Sequence, residues 1–496
     1  MESDRRRDRT RYDGYAEEMN KHHLWINGQE VPAAGEPLTS RNPADESLVF
    51  NGAAASAAQV QAAFQAAANA QANWNKTSLA EREAIVRRYA DLLRDRAAEL
   101  SHLITREVGK LPSDAASEVS VSVAKAEVTI QALHERRADA EVSIGGGRRQ
   151  VRYQPLGPVL VLGPFNFPVH LPGGHLLPAL LAGNTVVFKP SELAPAVGRW
   201  MVDRWTEAGL PAGVLNLIQG DATVARAAVD DPRVAGVFVT GGYAAGTAIH
   251  RQLAGRPDVL LALELGGNSP VVVASPADPA AVAREIAKSA FVSAGQRCTC
   301  ARRLVLIDDA AGRETLERLV QQVRTLRCGL PTETPEPDVG PLVSARHANL
   351  LLQAEANFLA YGGESVVEAQ QDPRCGALLR PGLVDMTHCH DAVDEEWFGP
   401  LLQVYWVADF ATAIERAKAT KYGLAASLFG GTERMFETFR REVRAGVVNW
   451  NAPTTGASGQ LPFGGLGASG NHRPAGYHTI DFCNDPIASW IVDWSE

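Results

Sequence analysis

Short apolar runs bounded by Gly, Pro and Asn recur along the chain from residue 157: "PVLVLG", "NTVVFKP", "GVLNLIQG", "VAGVFVT" and "VLLALEL". Each is rich in branched aliphatic residues without a polar alternation, the pattern of strands buried on both faces. The stretches between them run to roughly 10 to 20 residues, long enough for the crossover helices that parallel strands require. A second series follows: "PVVVA", a helix over residues 280–294, "RRLVLID", a helix over residues 312–326, then "LLQVYWV" and "ASLFGG". The expectation is an α/β chain of two doubly wound domains with a cleft between them.

Upstream the apolar period is helical. After a short β-like stretch at "LWING", residues 53–73 are alanine-rich and predict a helix. "SLAE" (Ser78 to Glu81) is a capping-box signature that opens a long amphipathic helix through about Arg106. A further helix is predicted from about Ser113, with Val119, Val123 and Ala126 on one face. "EVSIGGGRRQVRYQP" reads as a hairpin with a Gly turn. The first 21 residues carry six basic and six acidic side chains and little to bury, so residues 1–22 are expected to form a flexible arm.

Composition narrows the class. Of 496 residues 45% are apolar and 21% charged, and the net charge is -9, so no general basic field draws in nucleic acid and none is expected as a partner. No run reaches the roughly 18 to 20 apolar residues that span a bilayer. The start lacks the apolar stretch of a secretory signal, so the expectation is a cytoplasmic protein without a membrane partner. Six irregularly spaced cysteines suit a reducing compartment.

Candidate chemistry centres on "SAGQRCTCARR", residues 293–303. Metal ligation needs about four ligands in recognised spacing, whereas Cys298 and Cys300 are not a CxxC pair and "HCH" at 388–390 has no second cluster, so no metal is expected. Inert buried thiols are the bland alternative. Against it, Cys298 follows Gly295, Gln296 and Arg297 at the end of a helical stretch, and nearby arginines favour a thiolate. A nucleophile also needs a base and an oxyanion donor. Glu264, in "LELGGNSP", leaves a predicted strand toward the cleft; Asn166, in "GPFNFP", sits between two prolines that stiffen its loop. "GGYAAG" (Gly241, Gly242, Tyr243, Ala244, Ala245, Gly246) joins a strand to a helix and could cradle a phosphate. Lys189 and Glu192, in "KPSE", could hold a ribose, and the carboxylate would repel a 2′-phosphate, favouring NAD over NADP. Each motif alone is equally a turn asparagine, a tight turn, a solvated lysine or a surface glutamate.

Together, "PFNFP", "FKPSE", "LELGG", "GQRC", "EEWFGP" and "PFGG" stand in the order and spacing of the aldehyde dehydrogenase superfamily, which the chain resembles from about Leu24 onward. The resemblance implies NAD as cofactor and an aldehyde as substrate. It also implies Cys298 as nucleophile, Asn166 and the Cys298 N–H as oxyanion donors, and Glu264 as the base that activates water on a thioester. The cofactor would be held by Lys189, Glu192 and Glu396 at its riboses, with Leu265 and Phe398 beside it and Gly241 to Gly246 at the pyrophosphate. Gly242 stands where the family often has a serine, which predicts weaker cofactor affinity. "HLPGGHLLPALLAGN", "SAFVSAGQRCTCARRL" and "GASGNHRP" resemble a subgroup whose semialdehyde substrate carries several carboxylates, for which Arg297, His472 and Arg473 are candidate partners.

The same resemblance implies an NAD-binding domain from residues 23–140 and 156–263 and a catalytic domain from 264–446. A small β oligomerisation flap from 141–155 and 477–496, a return segment 447–476 near the cleft, and a homodimer or homotetramer complete the implied architecture. Three rivals remain at this level: a CoA-acylating relative, which generally lacks a glutamate at the Glu264 position; a dehydrogenase for another aldehyde; and an inactive structural or binding protein on the same fold.

Overall fold

The computed structural model describes residues 24–144, 147–389 and 393–492. The arm expected over residues 1–22 and His390 of "HCH" lie outside these. Two seven-stranded sheets organise the chain. In the first, the strands run in the order Leu260–Leu265, Gly236–Gly241, Pro158–Leu162, Thr185–Lys189, Leu215–Leu217, Leu24–Ile26 and Gln29–Val31. The first five are parallel and the last two antiparallel. Val159, Leu160, Val161, Val186, Val187 and Phe188 are wholly buried, as unbroken apolar runs covered by helices on both faces must be. The second sheet runs Glu364–Val367, Gly382–Asp385, Leu401–Val407, Ala301–Ile307, Ser269–Ala274, Ala425–Gly430 and Val447–Trp450, parallel except for its first pair. Each apolar run read as a strand from residue 157 onward is one.

The division between the sheets falls at Gly266 and Gly267 rather than before Glu264, because Glu264 pairs with Thr240 inside the first sheet. Gly266 leaves room for the Glu396 carboxylate, which a Cβ there would displace. The segments expected to form a flap contribute a three-stranded sheet of Ala140–Ile144, Gly147–Pro155 and Asn484–Val492. Residues Tyr477–Phe482, expected within it, instead form a 3-10 turn packed on helices Pro112–Arg136 and His170–Leu181.

Helix boundaries follow local chemistry. The alanine-rich helix spans Ala57–Lys76, starting where Ser56 and Gln59 form a capping box, because residues 48–53 are strand. Ser78 and Glu81 form the expected capping box, worth about 1 kcal/mol. The single long helix expected through Arg106 is two, Leu79–Asp95 and Ala97–Val108, broken at Arg96, whose φ of -112° and ψ of 25° leave the helical region. The break turns Leu100, Ile104 and Val108 into the core, while Arg96 pairs with Glu207 at 2.6 Å.

Candidate active site

The strand order of the first sheet reverses beside Pro158–Leu162, and the loops leaving that strand and Gly236–Gly241 open the crevice where such sheets bind ligands. Asn166 lies on the first loop and Gly242 on the second. The second sheet presents its opposite, N-terminal edge: Cys298 precedes strand Ala301–Ile307, while Glu396 and Phe398 precede Leu401–Val407. The site is therefore assembled from the carboxyl edge of one sheet facing the amino edge of the other.

The cysteine loop is held by backbone geometry and one buried cation. Helix Pro279–Phe291 ends three residues earlier than predicted, and Ser293, Ala294 and Gly295 take positive φ in succession (52°, 55° and 70°). At Gly295 a Cβ would sit 2.4 Å from the Gly399 carbonyl, so only glycine fits. Arg302, fully buried, donates to the carbonyls of Gly399 (2.9 Å), Gly295 (2.6 Å) and Arg297 (3.2 Å), tying the loop to the one that carries Glu396 and Phe398. Its guanidinium lies 5.6 Å from the Phe398 ring, which meets Phe165 edge-on at 5.9 Å. Sequence reading passed over Arg302; an arginine pair opening a buried strand was the signal available.

The three candidate groups lie on neighbouring segments here. The Glu264 carboxylate and the Cys298 thiol lie close enough for each to shift the other's ionisation. A Cβ on Gly267 would come within 3.2 Å of the Cys298 carbonyl, so the glycines after Glu264 let the cysteine loop lie against this strand. Asn166 is buried, and its Nδ2 donates to the Gln296 carbonyl at 3.0 Å, two residues before the cysteine.

Electrostatics differ from the arginine-assisted thiolate expected. Burial, then the Glu264 and Glu396 carboxylates, push the Cys298 thiol well above its ordinary range. The arginine fields of Arg302 and Arg297 fall on Cys300 instead, which is buried and whose thiol is pushed up by its own burial. Glu264 is pushed up to about 8 by burial, with the nearby Cys298 thiol opposing and Glu396 assisting. One of its oxygens, Oε1, is buried without a partner among the described residues. Glu396 is pushed up to about 7, again chiefly by burial, and accepts from the Gly267 N–H at 3.1 Å.

The residues expected around a dinucleotide fit one. Lys189 is buried, donates to the carbonyls of Gly220 (2.5 Å) and Pro190 (2.8 Å), and lies 3.9 Å from Glu192, whose side chain is 48% exposed and open to a ribose. Gly242 N-caps helix Tyr243–Gln252 with no side-chain cap, and a Cβ there meets nothing within 4 Å, so backbone N–H groups are approachable. Gly246 packs on Leu265, where a Cβ would come within 2.5 Å, which draws this helix tight against the last strand. Of the substrate candidates, Arg297 is bound to Asp114 (3.0 Å) and Ser293 (3.1 Å), Arg473 donates to the Gly465 carbonyl at 2.6 Å, and His472 is exposed.

Fold and site together define one class: the chain belongs to the aldehyde dehydrogenase family, whose model matches residues 31–486. It is 46% identical over 466 residues, 94% of this chain and 96% of the other, to the N-succinylglutamate 5-semialdehyde dehydrogenase of Pseudomonas fluorescens (strain Pf0-1). It is 44% identical over 470 residues, 95% of this chain and 96% of the other, to the protein of that name in Chromobacterium violaceum. Among solved structures it is similar to the 1-pyrroline-5-carboxylate dehydrogenase from Thermus with bound NAD (TM-score 0.90, 30% identity, 99% of this chain and 96% of that one). It is also similar to PnpE in complex with nicotinamide adenine dinucleotide (TM-score 0.90, 28% identity, 96% and 98% covered).

Proposed function

We propose that this chain oxidises N-succinyl-L-glutamate 5-semialdehyde to N-succinyl-L-glutamate with NAD, a step of arginine breakdown by the succinyltransferase route. The observation that carries the chemistry is the closeness of the Glu264 carboxylate to the Cys298 thiol, with the Asn166 amide held two residues before the cysteine at the Gln296 carbonyl; the similarity to enzymes named for this substrate carries the choice of aldehyde.

The Cys298 sulfur attacks the aldehyde carbon as its proton passes to Glu264, the carboxylate that acts most strongly on the thiol. Charge then develops on the aldehyde oxygen, where the Asn166 Nδ2 donates together with the Cys298 backbone N–H. Bound at Lys189, Glu192, Glu396 and the turn Gly241 to Gly246, NAD supplies the acceptor for the hydride leaving that carbon. A thioester on Cys298 remains. Once Glu264 has passed that proton to solvent, its unpartnered Oε1 is the acceptor for a water that attacks the thioester and displaces the Cys298 sulfur, which makes the outcome hydrolysis rather than acyl transfer to a thiol. Asn166→Ala is expected to lower kcat about a hundredfold to a thousandfold with little change in NAD affinity; stopped-flow NADH absorbance checks it, and an unchanged rate would remove Asn166 from the oxyanion site. The substrate is tested by NADH production over a panel of semialdehydes with and without the succinyl group, where the succinylated glutamate semialdehyde is expected to give the highest kcat/KM.

The chain is further read as a cytoplasmic homo-oligomer, dimer or tetramer. Six free cysteines suit a reducing compartment, and among the described residues no helix is long and apolar enough to cross a membrane. The flap supports self-association: it presents Trp490 at 69% and Val142 at 64% exposure on a small three-stranded sheet, an apolar surface that calls for cover. Trp490→Glu is expected to shift the sedimentation profile toward smaller species at micromolar concentration, and an unchanged profile would place the interface elsewhere.

A further inference from the structure

Lys125 sits in the middle of helix Pro112–Arg136, with only 5% of its surface exposed. The neighbouring cations are neutralised in place: Lys110 pairs with Glu118 at 2.6 Å, and Arg297 with Asp114 at 3.0 Å. Lys125 has no carboxylate partner among the described residues; its ammonium donates only to the Gly476 carbonyl at 3.3 Å. Burial alone pushes it down to about 8, with no anion acting to restore it. A buried cation without a counterion is costly and calls for a partner.

The surroundings tie this ammonium to the active site. His170 lies close enough for the Lys125 charge to depress its ionisation further, and burial, the larger cause, pushes it down to about 3, so the ring is neutral. Its Nδ1 is buried without a hydrogen-bond partner. The ring lies 6.3 Å from that of Phe167, the residue after Asn166. On the same helix face, three and four residues on, come Gly173 and Gly174. Both are buried, yet a Cβ added to Gly173 would meet no atom within 4 Å, and one on Gly174 only the Lys125 Cε at 3.9 Å. Buried positions with so little against them border internal space, and two glycines inside a helix cost about 1 kcal/mol each relative to alanine. The Gly476 carbonyl that receives Lys125 belongs to the short strand paired with Pro462–Phe463, so the return segment closes the space on its far side.

We propose that Lys125, with the His170 ring beside it, receives the carboxylates at the far end of the substrate in the space left open by Gly173 and Gly174. The assignment deepens the function proposed above and rests on it. It replaces Arg297, His472 and Arg473, of which the first is neutralised by Asp114, the second faces solvent and the third is held by Gly465. The ammonium supplies charge, and the His170 N–H supplies a directional hydrogen bond.

The test compares N-succinylglutamate 5-semialdehyde with hexanal, an uncharged aldehyde, in wild type, Lys125→Met and Lys125→Gln, with NAD binding followed by fluorescence as a check on folding. In both variants the ratio of the two kcat/KM values is expected to fall about ten- to a hundredfold, through KM for the anionic substrate, as loss of a charge-assisted hydrogen bond implies. An unchanged ratio, or equal loss on both aldehydes, overturns the role of Lys125. Absence of any wild-type preference for the succinylated aldehyde overturns the substrate reading itself, a separate failure visible before any variant is made.

Discussion

Cys298→Ala is expected to make no NADH above background from any aldehyde while still binding NAD. Nothing nearby can replace the lost sulfur. Cys300, two residues on, is buried with its Sγ turned 3.8 Å from the Val292 carbonyl, and no shift in the short Cys298-Thr299-Cys300 stretch brings it to Glu264 without moving strand Ala301–Ile307. The cofactor residues Lys189, Glu192 and the Gly242 turn stand on the other sheet and do not depend on the thiol. Stopped-flow NADH absorbance together with fluorescence titration of NAD checks both halves. Turnover near the wild-type rate would move the nucleophile elsewhere.

Glu264→Gln is expected to separate the two halves of the reaction. An amide cannot take a proton from water, so the thioester should accumulate: a first burst approaching one NADH per active site persists, slowed, and steady turnover falls by about two to four orders of magnitude. The pH profile adds an independent sign. Because burial raises Glu264 to about 8, the carboxylate form is the minority at neutral pH and grows as pH rises. Steady turnover of the wild type is thus expected to climb with pH and level off above about 8, and the climb attributable to this group should vanish in the variant. Loss of the burst with intact hydrolysis would refute the role.

Much of this arrangement is legible in the chain before any coordinates. Strands buried on both faces announce themselves as unbroken Val, Ile and Leu runs, so Pro158–Leu162 and Ser269–Ala274 stand out, and Ser78 with Glu81 marks a helix start through its own hydrogen bonds. Local pattern does not show where a long amphipathic segment bends. Leu79 to Val108 keeps its helical period across Arg96, and the break serves packing against helices distant in sequence. The division at Gly266 was hidden for a similar reason, since Glu264 reads equally as the end of one strand or the start of a loop until Thr240 lies opposite it.

The site was legible in its residues and not in its electrostatics. Arginines adjacent in sequence suggested a thiolate at Cys298, yet Arg297 turns to Asp114 and Arg302 to three carbonyls, and the charges that shift the thiol are the carboxylates of Glu264 and Glu396. Adjacency in sequence says little about where a long side chain points. Lys125 escaped notice because a lysine within a helix is ordinarily solvated; only burial and the absence of a carboxylate partner set it apart.

The central claim, a covalent acyl group on the Cys298 sulfur released by Glu264, is tested most directly by mass spectrometry of acid-quenched Glu264→Gln after incubation with aldehyde and NAD. Trypsin releases Cys298 to Arg302 as one peptide, and fragmentation separates Cys298 from Cys300. The account predicts the acyl mass on Cys298 at a stoichiometry matching the NADH burst; NADH formed with that sulfur unmodified, or with the acyl group on Cys300, would contradict it.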